Sequence, residues 1–380
     1  MSDTTANDVQ EELSAWLEEN WDPELTVGQW WQRLNEGKWC HPSLPEEAGG
    51  RGYNRELTQA VAAGLAEANV VGPPSGLGLM LAAPTIAVHG SQEQIDRFVP
   101  KILDGTEAWC QLFSEPNAGS DLAGLQAKAV RDGDEWIISG QKVWTSGGHM
   151  AKMGMLIART DLDAPKHQGI TYFAIDMEQP GIEVRPLREM TGQALFNEVF
   201  LDEARVPHAN VLGGLGAGWA VANSTLAFER ASLGGGGRGI SSQALMDFAK
   251  AAGNETDPVI RQEIMKVHIL GQVNRLNMLR AKSGGRRTGA EGNLAKLAMS
   301  EMVRRGREVG NMIIGADGML ASSDCRTGGL VQEATLFSPA PSIYGGTDEI
   351  QRNIIGERVL GLPKEPGPAK GTPFRELVQN

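Results

Sequence analysis

The sequence predicts an α+β chain in the order helical, β, helical. Three observations carry this: helical spacing up to about Gly105, a change to period two between about Gln111 and Leu212, and long helical patterns from Gly218 onward. Leu57, Val61, Gly64, Leu65 and Ala68 recur at three- and four-residue intervals, and Gln92 to Leu103 repeats the habit. Between them Pro42 to Gly52 reads as a loop.

In the middle zone Ala127–Val130, Glu135–Ser139, Met155–Arg159, Ile170–Ile175, Ile182–Pro186 and Glu198–Leu201 read as strands. Asp132-Gly133 and Pro180-Gly181 mark turns among them. Short strands with no helices between them imply an antiparallel sheet or barrel and exclude a doubly wound dinucleotide fold. Helices follow over roughly 218–233, 258–283 and 291–314, the second announced by Asp257-Pro258, a cap residue before a first-position proline. The expected segments are 1–110 (helical), 111–215 (β) and 216–380 (helical). The Pro/Gly-rich tail after Pro363 reads as a loose arm.

Acidic residues outnumber basic ones 47 to 35 over 380 residues, for a net charge of −12. That excludes a basic nucleic-acid face and a polybasic membrane face. The first 25 residues are acidic and carry no targeting pattern, and the longest apolar stretch, Gly76 to Val88, is too short to span a bilayer. Cys40, Cys110 and Cys325 are scattered, and the six histidines have no ligand spacing. The reading is a cytoplasmic protein without metal.

Chemistry concentrates in three stretches. On a helix, Trp219, Ala222, Leu226, Glu229 and Leu233 share one face, so Glu229 interrupts an apolar stripe. Desolvation raises a carboxylate's affinity for protons and makes it a base near neutral pH. The same pattern also fits a structural Glu229–Arg230 pair, or a helix end before Gly234–Gly237. Gln111 to Asp121 is a loop of small and hydroxyl residues able to approach a planar polar ring, and Lys142 to Gly148 adds the Trp144 indole beside Thr145 and Ser146. A core tryptophan is the competing account. Tyr344 to Arg352 brings Gly345 and Gly346 before a helix capped by Thr347, either an anion or cofactor site or a plain capped helix. Ser139–Lys142 matches SxxK, but no companion triplet of a penicillin-binding nucleophile is present. The glycine runs 213–218 and 234–239 follow no strand of a βαβ unit.

In this order, Phe113–Asp121 (FSEPNAGSD), Gly140–Ser146 (GQKVWTS) and Ile343–Arg352 (IYGGTDEIQR) resemble the TEPxAGSD, GxKxWIT and IYEGTxEIQR motifs of acyl-CoA dehydrogenases. The resemblance extends from Glu46 to Pro363. It implies an N-terminal helical domain, a middle antiparallel β-barrel and a C-terminal four-helix bundle. It also implies FAD, an acyl-CoA substrate, an electron-transferring flavoprotein as acceptor, and a homo-oligomer (dimer or tetramer) or a heteromeric assembly. By the same resemblance Gln111, Phe113, Ser114, Ser120, Trp144, Thr145, Ser146, Thr347 and Glu349 meet the cofactor. Ser120, Arg230, Gly345 and Gly346 meet the substrate.

The family's commonest base is the Glu of YEGT, where this chain has Gly345. The isovaleryl- and long-chain-type branches carry the base on the first bundle helix before an Arg, and Glu229-Arg230 matches that placement. Gly345 then leaves room, and its N–H can bond the thioester oxygen. The RxxFG segment is not recognisable between Ala244 and His268, and Met312 to Gly318 replaces QxxGGxG. These departures support a rival reading as a non-catalytic subunit of a heteromeric enzyme. An acyl-CoA oxidase is disfavoured by length, and a DNA-binding relative by charge.

Overall fold

The computed structural model describes residues 4–233, 239–283, 289–320, 324–369 and 371–377, with the side chains of 230–233 and 282 outside that set. Two compact units are present: Met1–Leu187 with Ala194–Phe228 and Pro368–Asn380, and Arg188–Gln193 with Glu229–Gly367.

The first unit begins with helices α1 (Ala6–Asn20), α2 (Val27–Glu36), α3 (Arg55–Glu67), α4 (Ala83–His89) and α5 (Gln92–Leu103). Capping boxes start three of them, from Thr5 with Asp8, Thr26 with Gln29 and Ser91 with Gln94, each satisfying end amides from both directions. Buried Val9, Leu13, Trp30, Leu34, Phe98 and Ile102 face one core. There Trp30 meets Trp21 with ring centroids 4.7 Å apart.

The strands are β1 (Trp109–Leu112), β2 (Lys128–Asp132), β3 (Glu135–Ser146), β4 (Met153–Arg159), β5 (Ile170–Asp176), β6 (Ile182–Leu187), β7 (Phe196–Pro207) and β8 (Val211–Leu212). They form one sheet in the order β6-β7-β3-β2-β4-β5-β8, with β1 added against β4. The pairing is antiparallel as expected except at two places, where β1 and β2 each run parallel to β4. Long connections separate these partners in sequence, which a parallel pair requires. Every residue of β4 is buried. Met153, Met155 and Ile157 join the helical core, while Leu156 and Ala158 join a second core with Phe173, Val199 and Val206. A strand covered on both faces loses the alternation that marks a half-exposed one.

α6 (Gly218–Leu233) starts in this unit. Val221, Ala222 and Thr225 are buried on it, with Trp219 and Leu226 half-buried beside them. The Thr225 hydroxyl lies 3.0 Å from Thr85 Oγ1 and 3.3 Å from Tyr172 Oη, so hydrogen bonds fix the helix to α4 and β5. The tail is not loose where it is described: Phe374 N–H donates to Ala164 O and Arg375 N–H to Leu162 O, each at 3.1 Å, and the Phe374 side chain is buried. Composition anticipates disorder here, but one aromatic side chain with a burial site overrides it.

The second unit is helical: α7 (Ser242–Ala252), α8 (Pro258–Lys282), α9 (Glu291–Ile314), α10 (Leu330–Phe337) and α11 (Asp348–Arg358). Asp257 caps α8 by accepting from Val259 and Ile260 N–H, as its sequence implies. Leu245, Ile260, Ile264, Val309, Ile313 and Val331 form its core. Among the described residues no helix is long and apolar enough to cross a membrane.

Candidate active site

The loop after β1 is organised by a buried ion pair. Glu115 accepts from Gln126 N–H at 2.7 Å, Ala127 N–H at 2.9 Å and Lys142 Nζ at 2.8 Å, and Lys142 also donates to Phe113 O at 3.1 Å. Burial pushes the Lys142 ammonium below the usual lysine range, and the Glu115 carboxylate opposes that push. The lysine of the SxxK match is therefore engaged in holding the loop. Glu115 and Ala118 exchange two backbone hydrogen bonds, closing a tight turn. Gln111 and Ser114 are half-buried, Phe113 is buried edge-on against Tyr172 at 5.8 Å, and Ser120 is exposed.

Val143 N–H donates to Ser114 O at 2.9 Å, which brings β3 beside this loop. One residue later the β3–β7 register shifts, and Trp144 adopts φ +60 with 61% of its side chain exposed. A bulky residue in the left-handed region at a bulge stores strain, and such strain clusters at functional sites. The indole meets the edge of Phe196 at 5.9 Å. Ser146 is half-buried. Thr145 is fully buried, and its Oγ1 has no hydrogen-bond partner among the described residues. Its register partner Asn197 is also fully buried, accepts from His149 N–H at 3.2 Å, and leaves Nδ2 unpartnered.

In the second unit, Gly345 and Gly346 have φ +63 and +82, and a Cβ on Gly346 would lie 2.7 Å from Gln351 Nε2. That amide donates to Gly345 O at 2.9 Å and Gly346 O at 3.3 Å, fixing the turn. Thr347 caps α11 by accepting from Ile350 N–H. Asp348 is buried between Lys296 and Arg304, each 2.9 Å away. Burial pushes its carboxyl up, but the hydrogen bonds from Lys296, Arg304 and Ser300 outweigh it and hold the group at about 2. Glu349 points to solvent.

Glu229 is half-buried on α6, four residues after Thr225. The Arg230 side chain and Gly234–Gly237 lie outside the described residues. Within the first unit, then, the structure gathers Gln111, Phe113, Ser114, Trp144 and Ser146; within the second it gathers Gly345, Gly346, Thr347 and Glu349. Among the described residues no cluster of three His, Cys, Asp or Glu side chains can hold a metal.

Sequence reasoning passed over Glu115, Arg159, Lys142 and Asp348 as organisers. Lys142 and Arg159 carried no signal of that role, because each has a polar neighbour in the chain, Gln141 and Thr160 respectively, and reads as a surface cation. Arg159 is buried and donates to Ala123 O at 2.6 Å, Leu125 O at 3.3 Å and Lys166 O at 2.7 Å; burial lowers its guanidinium to about 10.

The acyl-CoA dehydrogenase N-terminal, middle and C-terminal domain models match residues 1–106, 110–203 and 216–360. Acyl-CoA dehydrogenase FadE34 of Mycobacterium tuberculosis is 42% identical over 323 residues, covering 83% of this chain; the chain spans only 44% of that protein's length. Acyl-CoA dehydrogenase IpdE1 of the same organism is 38% identical over 346 residues, covering 90% of this chain and 89% of its own. The solved structure described as Tcur3481-Tcur3483 steroid ACAD superposes with a TM-score of 0.75 at 25% identity, covering 95% of this chain and 98% of its own.

Proposed function

The chain belongs to the acyl-CoA dehydrogenase family, flavoprotein oxidoreductases acting on acyl-CoA thioesters, and from that premise we propose that it introduces a Cα–Cβ double bond into an acyl-CoA with Glu229 as the base. The observation that carries this is the pairing of two positions. Gly345 has no group to take a proton, while Glu229 is a half-buried carboxylate on a helix pinned by Thr225.

The residues suit a flavin: the exposed, strained Trp144 follows Val143, whose N–H donates to half-buried Ser114, and a Cβ on Gly119 or Gly147 would meet nothing within 4 Å. The family's motifs assign Gln111, Phe113, Ser114, Ser120, Trp144, Thr145 and Ser146 of the first unit and Thr347 and Glu349 of the second to the cofactor. FAD supplies the acceptor for the β hydride. The family's motifs assign Ser120, Arg230 and Gly346 to the thioester arm, and the Gly345 N–H is assigned to the thioester oxygen, where negative charge grows. The side-chain-free Gly345, with the likeness to a steroid enzyme, favours a bulky or ring-bearing acyl group.

The segments 1–110, 111–215 and 216–380 are the working domains, with 216–228 and 368–380 grouped in the first compact unit. Met265, Ile269, Val273, Leu276 and Leu279 expose an apolar stripe at helical spacing along α8, which suits a second copy of the chain. An electron-transferring flavoprotein is the acceptor, and the protein is cytoplasmic.

The test is anaerobic titration of the purified protein with straight, branched and ring-bearing acyl-CoAs, beside Glu229→Gln. The wild type is yellow and bleaches; Glu229→Gln keeps FAD and bleaches about 10² to 10⁴ times more slowly. Equal rates overturn Glu229 as base. A colourless protein that added FAD does not restore supports the alternative, a non-catalytic subunit of a heteromeric enzyme.

A further inference from the structure

We propose that the C-terminal segment Thr372–Leu377 is a strap that positions the loop carrying Ser120 and Asp121, acting through Phe374 and Arg159. The Phe374 ring lies over the Arg159 guanidinium, 3.6 Å from ring centroid to Cζ. Arg159 is buried, and its Nε has no hydrogen-bond partner. A desolvated cation short of one partner gains from an aromatic face, and a desolvated cation–π contact is stronger than an exposed one.

The other guanidinium nitrogens reach two loops at once. Nη2 donates to Ala123 and Leu125 carbonyls in the turn just after Asp121, and Nη1 donates to Lys166 O. Lys166 Nζ in turn pairs with Asp121 at 2.5 Å. On the other side of the same turn, Glu115 accepts from Gln126 and Ala127 N–H. The stretch 121–127 is thus held between a buried anion and a buried cation, and the tail covers the cation.

The strap itself is tied down independently of the ring. Pro373 bridges Pro165, Phe374 and Arg375 donate backbone hydrogen bonds to Ala164 and Leu162, and Arg375 pairs with Asp163. Phe374 is a positioning residue in this account. Its effect on the acyl-CoA rests on the reading of Ser120 above; its effect on the loop does not.

Amide hydrogen exchange of the full chain tests it, comparing wild type, Phe374→Leu and Phe374→Ala. Leucine keeps most of the apolar volume but removes the ring face. Exchange across 118–127 is expected to rise about tenfold in Phe374→Leu and further in Phe374→Ala, with helices α1 and α3 unchanged. Should Phe374→Ala fail to fold, Phe374→Leu carries the same comparison. KM for the acyl-CoA rises in Phe374→Leu by more than kcat falls. Wild-type exchange across 118–127 in folded Phe374→Leu overturns the strap, even in a protein that binds FAD and acyl-CoA. Raised loop exchange in a protein whose wild type takes no acyl-CoA upholds the strap and overturns the reading of Ser120.

Discussion

Lys142 Nζ donates to Glu115 Oε1 at 2.8 Å in a site where the lysine is fully buried. This pair joins strand β3, which carries Trp144, to the loop that carries Ser114 and Ser120. Removing one member leaves the other charge uncompensated, which costs about 3–5 kcal/mol. Lys142→Met is therefore expected to lower unfolding stability by that amount in denaturant. The double variant Glu115→Met/Lys142→Met should lose less than the sum of the single ones, because it leaves no lone charge.

Trp144 separates stability from cofactor binding. Its side chain is mostly exposed and its backbone is strained, so Trp144→Gly relieves the left-handed conformation while losing little burial. The apoprotein is expected to change in stability by less than about 1 kcal/mol. On the proposed stacking role of Trp144, FAD affinity should weaken by about tenfold. Fluorescence titration with FAD beside a denaturation curve reads both, and a large loss of apoprotein stability would count against a binding role.

Gly346 tests the turn before α11. Alanine there meets both a left-handed φ and Gln351 Nε2 at 2.7 Å. Gln351 is itself buried and tied to the Gly345 carbonyl, so it has little room to give. Gly346→Ala is expected to cost about 1–3 kcal/mol. A denaturation midpoint equal to wild type would show that the turn adjusts freely.

Asp348 gives the second unit a pH signature. Its carboxyl is held at about 2, below the ordinary value of 3.8. A carboxylate with a depressed folded value contributes stability that is present above about 4 and lost as pH falls towards 2. The thermal midpoint of the wild type should fall through that window. Asp348→Asn should be less stable at pH 7 and should fall less steeply over the same interval. Parallel pH curves for the two proteins would exclude Asp348 as the group responsible.

The chain's local rules are readable without coordinates. Asp257-Pro258 and Thr347 start helices where capping chemistry places them, and the helix over 291–314 has the limits that its periodicity predicts. The three motif loops were also recognisable, because turns and close approaches select glycine, proline and small hydroxyl residues over a few consecutive positions. Each of these features depends on neighbours within about four residues.

Only the tertiary structure decided which side of β3 each site residue occupies. The register shift between Lys142 and Thr145 exposes Trp144 and buries Thr145, an outcome set by pairing with β7, more than fifty residues away. Lys142 and Arg159 look like surface cations in the sequence, and they become organisers because distant carboxylate and carbonyl oxygens converge on them. The same holds for the tail, whose composition predicts a loose arm. Phe374 finds a burial site and a guanidinium across some 215 residues of chain, a gain that no local propensity records.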